Sequence, residues 1–274
     1  MRASTEVNRI DHMSNDSALG RILGTGKEAE ILEYGPAAVV KLYKTGRPKR
    51  AAFREAGILA LLESFGLPVP QVQGVLQIDG RWGVIMSRAD EPSFAADGPS
   101  FASAARLRPD LLTEYLNAMA LLHGSVHAHP GTQFAGGKAR LAADIANAGL
   151  LGAVQREALL ERLAAMPDGD RLCHGDFHPL NILGPPGRAI IIDWPNVSCG
   201  DPAADVCRSF VLIRSVAPEI ASAYVDAYAA NSGMNRERIL AWLPFIAAAR
   251  LTERVPDEED DLLTMATTEF SQPG

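Results

Sequence analysis

The amino-acid sequence predicts an α+β protein with two lobes, a small strand-rich lobe followed by a larger helical lobe. Two observations predict this class. Strand-compatible runs joined by turns occupy about Leu19 to Ser87, and helical periodicity dominates after Ser87. A chain of 274 residues, 47% hydrophobic and 22% charged, can bury the cores of both lobes. We therefore predict a flexible segment over 1–18, a strand-rich lobe over 19–87 and a helical lobe over 88–274.

The predicted strand-rich lobe contains two hairpins and one helix. In the first hairpin, the runs EAEILEYG and AAVVKLYK meet at the turn Tyr34-Gly35-Pro36. The second hairpin joins QVQGVLQ to RWGVIMS around Asp79-Gly80. Between them, PKRAAFREAGILALLESFG predicts a helix, because Pro48 stands near its start and Gly66 just past its end.

Apolar residues at helical spacing characterise the predicted helical lobe. The stretch PDLLTEYLNAMALLHGSVH carries Leu112, Leu116 and Met119 on one face. Two more helical stretches, LAADIANAGLL and AVQREALLERLAAM, precede RLCHGDFHPLNILGPPGRAIIIDW, which predicts a loop, a turn and a buried strand, AIIID. The chain is helical again from Pro202 to Phe270.

Composition and charge disfavour several classes of protein. The net charge of −7 disfavours nucleic acid as a partner, and the apolar runs are too short to cross a bilayer. The polar N-terminus shows no signal peptide. Three cysteines, Cys173, Cys199 and Cys207, form no CxxC pair and indicate free thiols in a reducing compartment. We therefore expect a cytoplasmic protein that binds neither membranes nor nucleic acids.

The segment LGTGKEAEIL, from Leu23 to Leu32, is typical of a glycine-rich phosphate-binding loop. It does not fit a P-loop, because Glu28 replaces the hydroxyl residue that should follow Gly26-Lys27 and bind magnesium. It does not fit a dinucleotide-binding loop, because a strand is predicted where that loop needs a helix. Two interpretations remain, a hairpin that covers the phosphates of ATP and an ordinary turn.

A lysine and a glutamate follow this loop at positions that favour the ATP-binding hairpin. In that hairpin Gly24 and Gly26 would cover the phosphates, Lys41 on a following strand would pair with them, and Glu55 on the next helix would hold the lysine. These residues alone leave open the alternative that Lys41 and Glu55 are ordinary surface charges.

The segment HGDFHPLNIL, from His174 to Leu183, predicts a phosphoryl-transfer loop. Asp176 and Asn181 have the spacing Asp-x-x-x-x-Asn. Asp176 would supply a carboxylate that aligns the attacking hydroxyl and accepts its proton, and Asn181 would supply an amide that helps to hold magnesium. Asp193 follows the buried run AIII and would be a second metal ligand. Such hard oxygen ligands suit Mg²⁺.

HGDFHPLNIL and the following IIIDW resemble the aminoglycoside phosphotransferase family, in the protein-kinase-like superfamily that also contains choline kinases. The resemblance runs from about Leu23 to Asp205 and includes GDPAAD, which begins at Gly200. It implies a bilobal kinase-like fold and transfer of the γ-phosphate of ATP to a hydroxyl of a small molecule. ATP and Mg²⁺ are the implied cofactors, and GTP is not excluded.

The resemblance also implies a role for each matching residue. Lys41 would contact phosphate with Glu55 as its partner. Asp176 would be the catalytic base, and Asn181 and Asp193 would bind magnesium.

Further roles follow from the same resemblance. The segment Met86 to Ala89 would be a hinge whose backbone, at Met86 and Arg88, pairs with the adenine edge. His174 would brace the catalytic loop and do no chemistry, and His178 would support it.

The sequence departs from protein kinases at three points. His178 stands where those enzymes carry lysine, Asp193-Trp194-Pro195 replaces Asp-Phe-Gly, and the third glycine of their loop is Ala29. A protein substrate is therefore disfavoured.

Other polar residues have competing interpretations. Zinc could be held by the HGDFH histidines or by His123, His127 and His129, but a zinc hydrolase leaves the lysine and glutamate of the first lobe unexplained. Asp201 and Asp205 would be structural, with a cap on the following helix. A pseudokinase that binds nucleotide without turnover is the main alternative function.

The acceptor is the least determined part of the prediction. The acidic segment ERVPDEEDDLL, from Glu253 to Leu263, could attract a cationic acceptor such as an aminoglycoside or choline. An ordinary solvated face is the favoured interpretation of that charge.

Overall fold

The computed structural model describes residues 19–88 and 109–268. Its first part is built on one antiparallel sheet and its second part is mostly helical, which confirms the predicted α+β class. The segment predicted to be flexible, 1–18, lies outside the described residues, and so does Ala89 of the predicted hinge. No helix among the described residues is long and apolar enough to cross a membrane.

The described residues form two compact units. The first comprises 19–60 and 70–88, and the second comprises 61–69 and 109–268. Within the second unit the Pro68 carbonyl accepts a hydrogen bond from the Ile191 N–H at 2.8 Å. The lobe boundary placed after residue 87 stays a prediction.

The first unit contains five strands and most of one helix. They are β1 (Leu19–Thr25), β2 (Ala29–Tyr34), β3 (Ala38–Tyr43), α1 (Lys49–Ser64), β4 (Val72–Ile78) and β5 (Arg81–Ser87). The strands form an antiparallel sheet in the order β1-β2-β3-β5-β4, with both predicted hairpins. Asp79 and Gly80 have φ angles of 47° and 75°, as a tight two-residue hairpin turn requires. The buried core of the sheet is formed by Val40, Leu42, Leu76 and Ile78.

The second unit contains eight helices and four short strands among its described residues. The helices are α2 (Leu112–His127), α3 (Gly137–Ala146), α4 (Ala153–Ala164), α5 (Pro202–Arg214), α6 (Pro218–Ser232), α7 (Arg236–Leu240), α8 (Leu243–Arg250) and α9 (Glu259–Thr267). The strands are β6 (Arg171–Cys173), β7 (Ile182–Leu183), β8 (Ile190–Ile191) and β9 (Ser198–Gly200). β6 pairs with β9, and β7 pairs with β8. The run AIIID therefore forms a strand of only two residues.

A large aromatic core holds the second unit together. Its fully buried rings are Phe177, Trp194, Tyr224, Trp242 and Phe245. Phe177 lies within HGDFHPLNIL and Trp194 directly follows Asp193, so each predicted catalytic segment contributes a fully buried ring to the core.

The start of α5 confirms one predicted cap. The Asp201 carboxylate accepts a hydrogen bond from the Ala203 N–H at 2.8 Å, and Pro202 occupies the first helical position. Asp205 lies one turn further on and does not cap the helix.

Candidate active site

The predicted catalytic loop leaves β6 and enters a short 3-10 helix, Pro179–Asn181. Gly175 begins the loop with φ of 79°, and a Cβ there would lie 2.5 Å from the Asn196 carbonyl oxygen. A side chain would therefore be strained as well as crowded at this position. The turn presents Asp176 next to the start of the 3-10 helix.

The structure brings Asp176 and Asn181, the two ends of the Asp-x-x-x-x-Asn spacing, into contact. The Asn181 side-chain amide donates to the Asp176 carbonyl at 2.9 Å and lies 3.2 Å from the Asp176 carboxylate. Because the Nδ2 atom faces the loop, Oδ1 is the atom of Asn181 that could bind a cation.

The Asp176 carboxylate has two positively polarised neighbours. His178 Nε2 and Arg208 Nη2 each lie 3.6 Å from one of its oxygens. Burial by itself would raise the pKa of Asp176, but His178, together with Arg208 and His174, outweighs burial and holds that pKa below its ordinary value. Asp176 is therefore a carboxylate at neutral pH, the form that can accept a proton.

Asp193 lies at the same end of the β7–β8 ribbon as Asn181. The Ile192 N–H donates to the Asn181 carbonyl at 3.0 Å, and Asp193 follows at once. Asp193 has φ of 62°, a left-handed backbone that is uncommon for a residue other than glycine and is often found at functional sites. An amide oxygen and a carboxylate at one ribbon end fit the hard ligands that Mg²⁺ prefers.

His174 connects the catalytic loop to the ribbon. It is fully buried, its Nε2 lies 3.1 Å from the Ile192 carbonyl oxygen, and its Nδ1 accepts the Asp176 N–H at 3.1 Å. Trp194 packs against the ring at a centroid distance of 4.3 Å. Both nitrogens are used inside the protein, which suits a bracing role and disfavours a zinc ligand.

Asp205 is the centre of a buried cluster that the sequence did not indicate. Its Oδ2 atom accepts a hydrogen bond from the His174 N–H at 2.6 Å, and its Oδ1 atom accepts one from the Gly175 N–H at 2.8 Å. The same carboxylate lies 3.0 Å from His123 Nε2 and 3.2 Å from His127 Nε2. Asp205 therefore anchors the catalytic loop to helix α2 and does not cap α5.

The electrostatics of this cluster favour a neutral His123 next to an ionised Asp205. Burial, together with the neighbouring His127, lowers the pKa of His123 to about 3, so His123 is neutral. Burial would raise the pKa of Asp205, but its histidine partners outweigh that effect and hold the pKa well below its ordinary value. The Tyr224 and Tyr228 hydroxyls lie within hydrogen-bond distance of the remaining nitrogens, at 2.6 and 2.7 Å.

The cluster contains two of the three histidines, His123, His127 and His129, that were considered as a zinc site. Three residues, His123, His127 and Asp205, do come close enough for metal ligation. However, their ligand atoms already hydrogen-bond to one another and to tyrosines, which accounts for the cluster without a metal. His129 is not part of it, because its ring stacks on Phe65 at 5.2 Å.

In the first unit, Lys41 and Glu55 are paired. Lys41 of β3 and Glu55 of α1 form an ion pair, with 2.8 Å between Nζ and Oε1. Glu55 is buried, with 6% of its surface exposed. The Tyr43 hydroxyl donates to the other oxygen of Glu55. Lys41 and Glu55 are therefore not ordinary surface charges, and Tyr43 is a further member of the group that no sequence motif indicated.

The glycine-rich turn joins β1 to β2 as a hairpin. The Gly26 N–H donates to the Ala29 carbonyl at 2.8 Å, which closes the turn. Neither Gly24 nor Gly26 has a positive φ, and a Cβ would meet nothing within 4 Å at Gly24 and only the Ala29 carbonyl oxygen at Gly26. Protein packing therefore does not explain these glycines. Glu28 pairs with Arg47, which neutralises its charge next to the turn.

Two amides of the predicted hinge are already engaged. The Ser87 N–H donates to the Gln71 carbonyl at 2.8 Å, and the Arg88 N–H donates to the Ala37 carbonyl at 3.0 Å. Met86 is a buried residue of β5, paired with β3 and β4. A base bound here would need other backbone groups than these two amides.

Within the second unit, Asp176 lines a pocket of about 420 Å³. Its other charged lining residues include Arg140 and Asp144 of α3, Arg208 of α5, and Glu253, which follows α8. A pocket of this size next to the predicted base can take a small molecule.

The acidic segment that follows α8 is partly neutralised by arginines. Glu253 lies 2.8 Å from Arg208 and 2.5 Å from Arg250, and Glu258 pairs with Arg250 at 2.8 Å. Much of its charge is therefore satisfied within the protein, and of these two carboxylates only Glu253 lines the pocket.

The sequence model of the phosphotransferase enzyme family matches residues 29–242. The match spans the paired lysine and glutamate, the catalytic loop and the predicted metal aspartate. The chain belongs to the phosphotransferase enzyme family. This confirms the resemblance drawn from HGDFHPLNIL and IIIDW. No curated protein sequence matches the chain significantly.

Solved structures of aminoglycoside phosphotransferases have the same fold as this phosphotransferase. The apo form of a thermostable mutant of APH(4)-Ia is 16% identical with a TM-score of 0.66, over 93% of this chain and 94% of that one. An aminoglycoside-3'-phosphotransferase of type VIII is 21% identical with a TM-score of 0.56, over 88% and 99%. APH(2'')-Ib with ADP is 16% identical with a TM-score of 0.59, over 93% and 96%. These similarities establish the kinase-like fold.

Arg208 is a residue of the candidate site for which the sequence predicted no role. Neither it nor Asp205 belongs to the HGDFHPLNIL motif, yet both contact the loop from α5. Asp205 ends the GDPAAD segment and Arg208 follows it by three residues, and this helical spacing is the sequence signal that could have indicated a shared face.

Proposed function

We propose that this phosphotransferase transfers the γ-phosphate of ATP to a hydroxyl group of a small molecule. The observation that carries the proposal is the position of Asp176. It is a carboxylate held below its ordinary pKa, in contact with the Asn181 amide, and it lines a pocket of about 420 Å³.

In this mechanism Asp176 aligns the acceptor hydroxyl and accepts its proton as the oxygen attacks phosphorus. Asn181 Oδ1 and the Asp193 carboxylate would hold Mg²⁺, and His174 keeps the loop that carries Asp176 attached to the β7–β8 ribbon. Bound magnesium would supply charge neutralisation at the phosphate oxygens.

The first unit would bind the nucleotide. Lys41, held by Glu55, would pair with phosphate oxygens, and Gly24 and Gly26 would let the hairpin backbone come close to them. The segment that begins at Met86 would contact the base through its backbone. Either ATP or GTP satisfies these contacts, and we propose ATP because the fold neighbours bind adenine nucleotides.

Ligands of two fold neighbours support this assignment. A mutant of APH(4)-Ia forms a ternary complex with AMP-PNP and hygromycin B, with a TM-score of 0.64 and 18% identity. APH(3'')-Id from Streptomyces rimosus forms a complex with ADP and streptomycin, with a TM-score of 0.56 and 18% identity. A nucleotide and a small acceptor therefore suit the fold.

The acceptor pocket favours a molecule rich in hydrogen-bond donors. The Asp144 side chain, on α3, lines the pocket, and Arg140 and Arg208 are the positive charges that act on it. Burial raises the pKa of Asp144 against the opposing effect of Arg140 and Arg208. Because a carboxylate can only accept, its partner in a complex would be a hydroxyl or an ammonium group. We propose a polyhydroxylated or cationic acceptor.

Magnesium-dependent ADP release tests the function. Purified protein would be assayed with aminoglycosides, macrolides, choline, ethanolamine, homoserine and sugars, with water as the baseline. We expect one acceptor class to raise release, and Asp176→Asn to lower the stimulated rate at least about 100-fold. Asp170→Asn is the matched control, because the Asp170 side chain is 77% exposed and lies outside the site.

Each outcome has a defined meaning. Release that depends on both acceptor and Asp176 establishes the kinase and its substrate class. Wild-type turnover in the Asp176 variant contradicts the assigned base. Tight nucleotide binding with no Asp176-dependent release for any acceptor or water favours the pseudokinase alternative.

A further inference from the structure

Arg208 contacts the catalytic loop and the segment after α8 at the same time. Its Nε donates to the Gly175 carbonyl at 2.5 Å, and its Nη2 donates to Glu253 at 2.8 Å. The same Nη2 atom lies 3.6 Å from the Asp176 carboxylate. The side chain is only 18% exposed, so its position is held by these contacts.

Helix α5 holds both polar groups of Gly175. The Gly175 N–H donates to Asp205 at 2.8 Å, and the Gly175 carbonyl accepts from Arg208 at 2.5 Å. Asp205 and Arg208 are three residues apart, which places them on one face of the helix. Because Gly175 has a left-handed backbone and directly precedes Asp176, holding this residue sets the direction in which the Asp176 side chain leaves the loop.

We propose that Arg208 is a positioning residue for Asp176, acting through the Gly175 carbonyl and held in place by Glu253. The inference rests on the proposed function, in which Asp176 aligns the acceptor hydroxyl. It adds a residue outside the motif segments and a link between the catalytic loop and the pocket wall that contains Glu253.

The geometry requires arginine. A guanidinium group is planar and offers N–H groups in divergent fixed directions, so one side chain can bind Gly175 with Nε and Glu253 with Nη2. Lysine at position 208 would keep the charge near Asp176 but could not reproduce both directed contacts.

Two measurements test the proposal on the full chain. The first is hydrogen–deuterium exchange of the peptide that covers 172–183, which reports loop order without any need for turnover. The second is steady-state ADP release, which separates kcat from KM for ATP and for the acceptor. The variants are Arg208→Gln and Arg208→Lys.

Arg214→Gln is the matched control. Arg214 lies on the same helix and pairs with Asp261 of the same acidic segment, at 3.4 Å, but it does not line the pocket. We expect wild-type exchange and wild-type kinetics from this variant.

Arg208→Gln is expected to lower kcat about 10- to 100-fold, because a displaced base loses alignment with the hydroxyl. KM for ATP should stay within about twofold of wild type, since no nucleotide contact is removed. Exchange in the 172–183 peptide should rise, and Arg208→Lys should recover part of kcat.

A double variant tests the link to Glu253. If Glu253 acts through Arg208, Glu253→Gln lowers kcat in the wild-type background but not in Arg208→Gln. Additive losses would mean that Glu253 acts by another route, and would overturn this part of the proposal.

The outcomes separate this inference from the proposed function. Unchanged exchange and unchanged kcat in Arg208→Gln overturn the positioning role. Unchanged exchange with a raised acceptor KM also overturns it, and assigns Arg208 to acceptor binding. If the wild type shows no Asp176-dependent release, the proposed function fails. The exchange comparison then still decides whether Arg208 orders the loop.

Discussion

Asp205 is a buried carboxylate that organises the candidate site through hydrogen bonds to the backbone of the catalytic loop. It accepts two backbone N–H groups, from His174 and Gly175, and hydrogen-bonds to His123 and His127. A buried charge is costly unless every lone pair has a partner. Here two of the partners are backbone N–H groups of the catalytic loop. The hydrogen bonds that stabilise the buried charge therefore also hold the loop in its conformation.

At the residue scale, the neutral state of His123 predicts a pH dependence of stability. Its pKa is about 3 in the folded protein, against an ordinary value of 6.5. Between these values the unfolded chain binds a proton that the folded protein does not, so stability falls as pH falls below about 6.5. The slope approaches about 1.4 kcal/mol per pH unit from this residue. Burial lowers the pKa of His174 and adds to the slope in the same direction.

Urea unfolding between pH 7.5 and pH 5 measures this slope. His123→Gln should flatten it, while His129→Gln should leave it unchanged, because His129 stacks on Phe65 away from the cluster. An equal slope in wild type and His123→Gln would show that His123 is not the neutral buried group described above.

At the element scale, the site is held by contacts between elements that are distant in sequence. Strand β3 and helix α1 meet through Lys41 and Glu55. Helix α5 contacts the catalytic loop through Asp205 and Arg208. The catalytic strands β7 and β8 have two residues each, too few to be stable alone, so they depend on these neighbouring elements.

The β3–α1 contact predicts an effect on nucleotide affinity. Glu55→Gln replaces a charged partner of Lys41 by a neutral one, and a hydrogen bond to a charged group contributes about 1.5–3 kcal/mol. If Glu55 holds Lys41 in the position in which it binds phosphate, the Kd for AMP-PNP should rise about 10- to 100-fold in this variant. Titration calorimetry measures this.

Tyr43→Phe and Glu63→Gln complete that experiment. Tyr43→Phe removes the other hydrogen bond to Glu55 and should raise the Kd less than Glu55→Gln. Glu63 lies on the exposed side of α1, so Glu63→Gln is the matched control. A Kd in Glu55→Gln equal to that of Glu63→Gln would argue against a nucleotide role for the pair.

At the scale of the whole molecule, the two units carry different parts of the proposed chemistry. The first contains the paired lysine and the glycine-rich hairpin, and the second contains Asp176, Asn181 and Asp193. A nucleotide that binds the folded chain and not the unfolded chain would stabilise it by mass action, by about 2.7 kcal/mol at 100 times its Kd.

Thermal unfolding with and without magnesium tests this linkage. AMP-PNP with Mg²⁺ should raise the unfolding temperature of the wild type more than AMP-PNP alone. Asp193→Asn should lose the magnesium-dependent part and keep the rest, because a neutral amide is a weaker ligand for a hard cation. Asp170→Asn, at a side chain that is 77% exposed and does not line the pocket, should behave like wild type. A full magnesium effect in Asp193→Asn would contradict its assignment as a ligand.

Local motifs made much of the site predictable. The HGDFHPLNIL spacing singled out Asp176 and Asn181, and the structure brings the two side chains together because a short 3-10 turn returns the chain over five residues. The lysine and glutamate of the first unit were also correctly paired. Glycine and proline at element ends predicted α1 and the Asp79-Gly80 turn, since their backbone preferences are local.

The sequence by itself thus determined the fold class and the family, because these depend on periodicity and on spacing along the chain. Only the tertiary structure decided the parts that come from packing: the anchoring of the loop by Asp205, the neutral state of His123, and the contacts of Arg208 with Gly175 and Glu253. Burial and long-range hydrogen bonds give these residues their properties, and neither is encoded in the spacing of neighbouring residues.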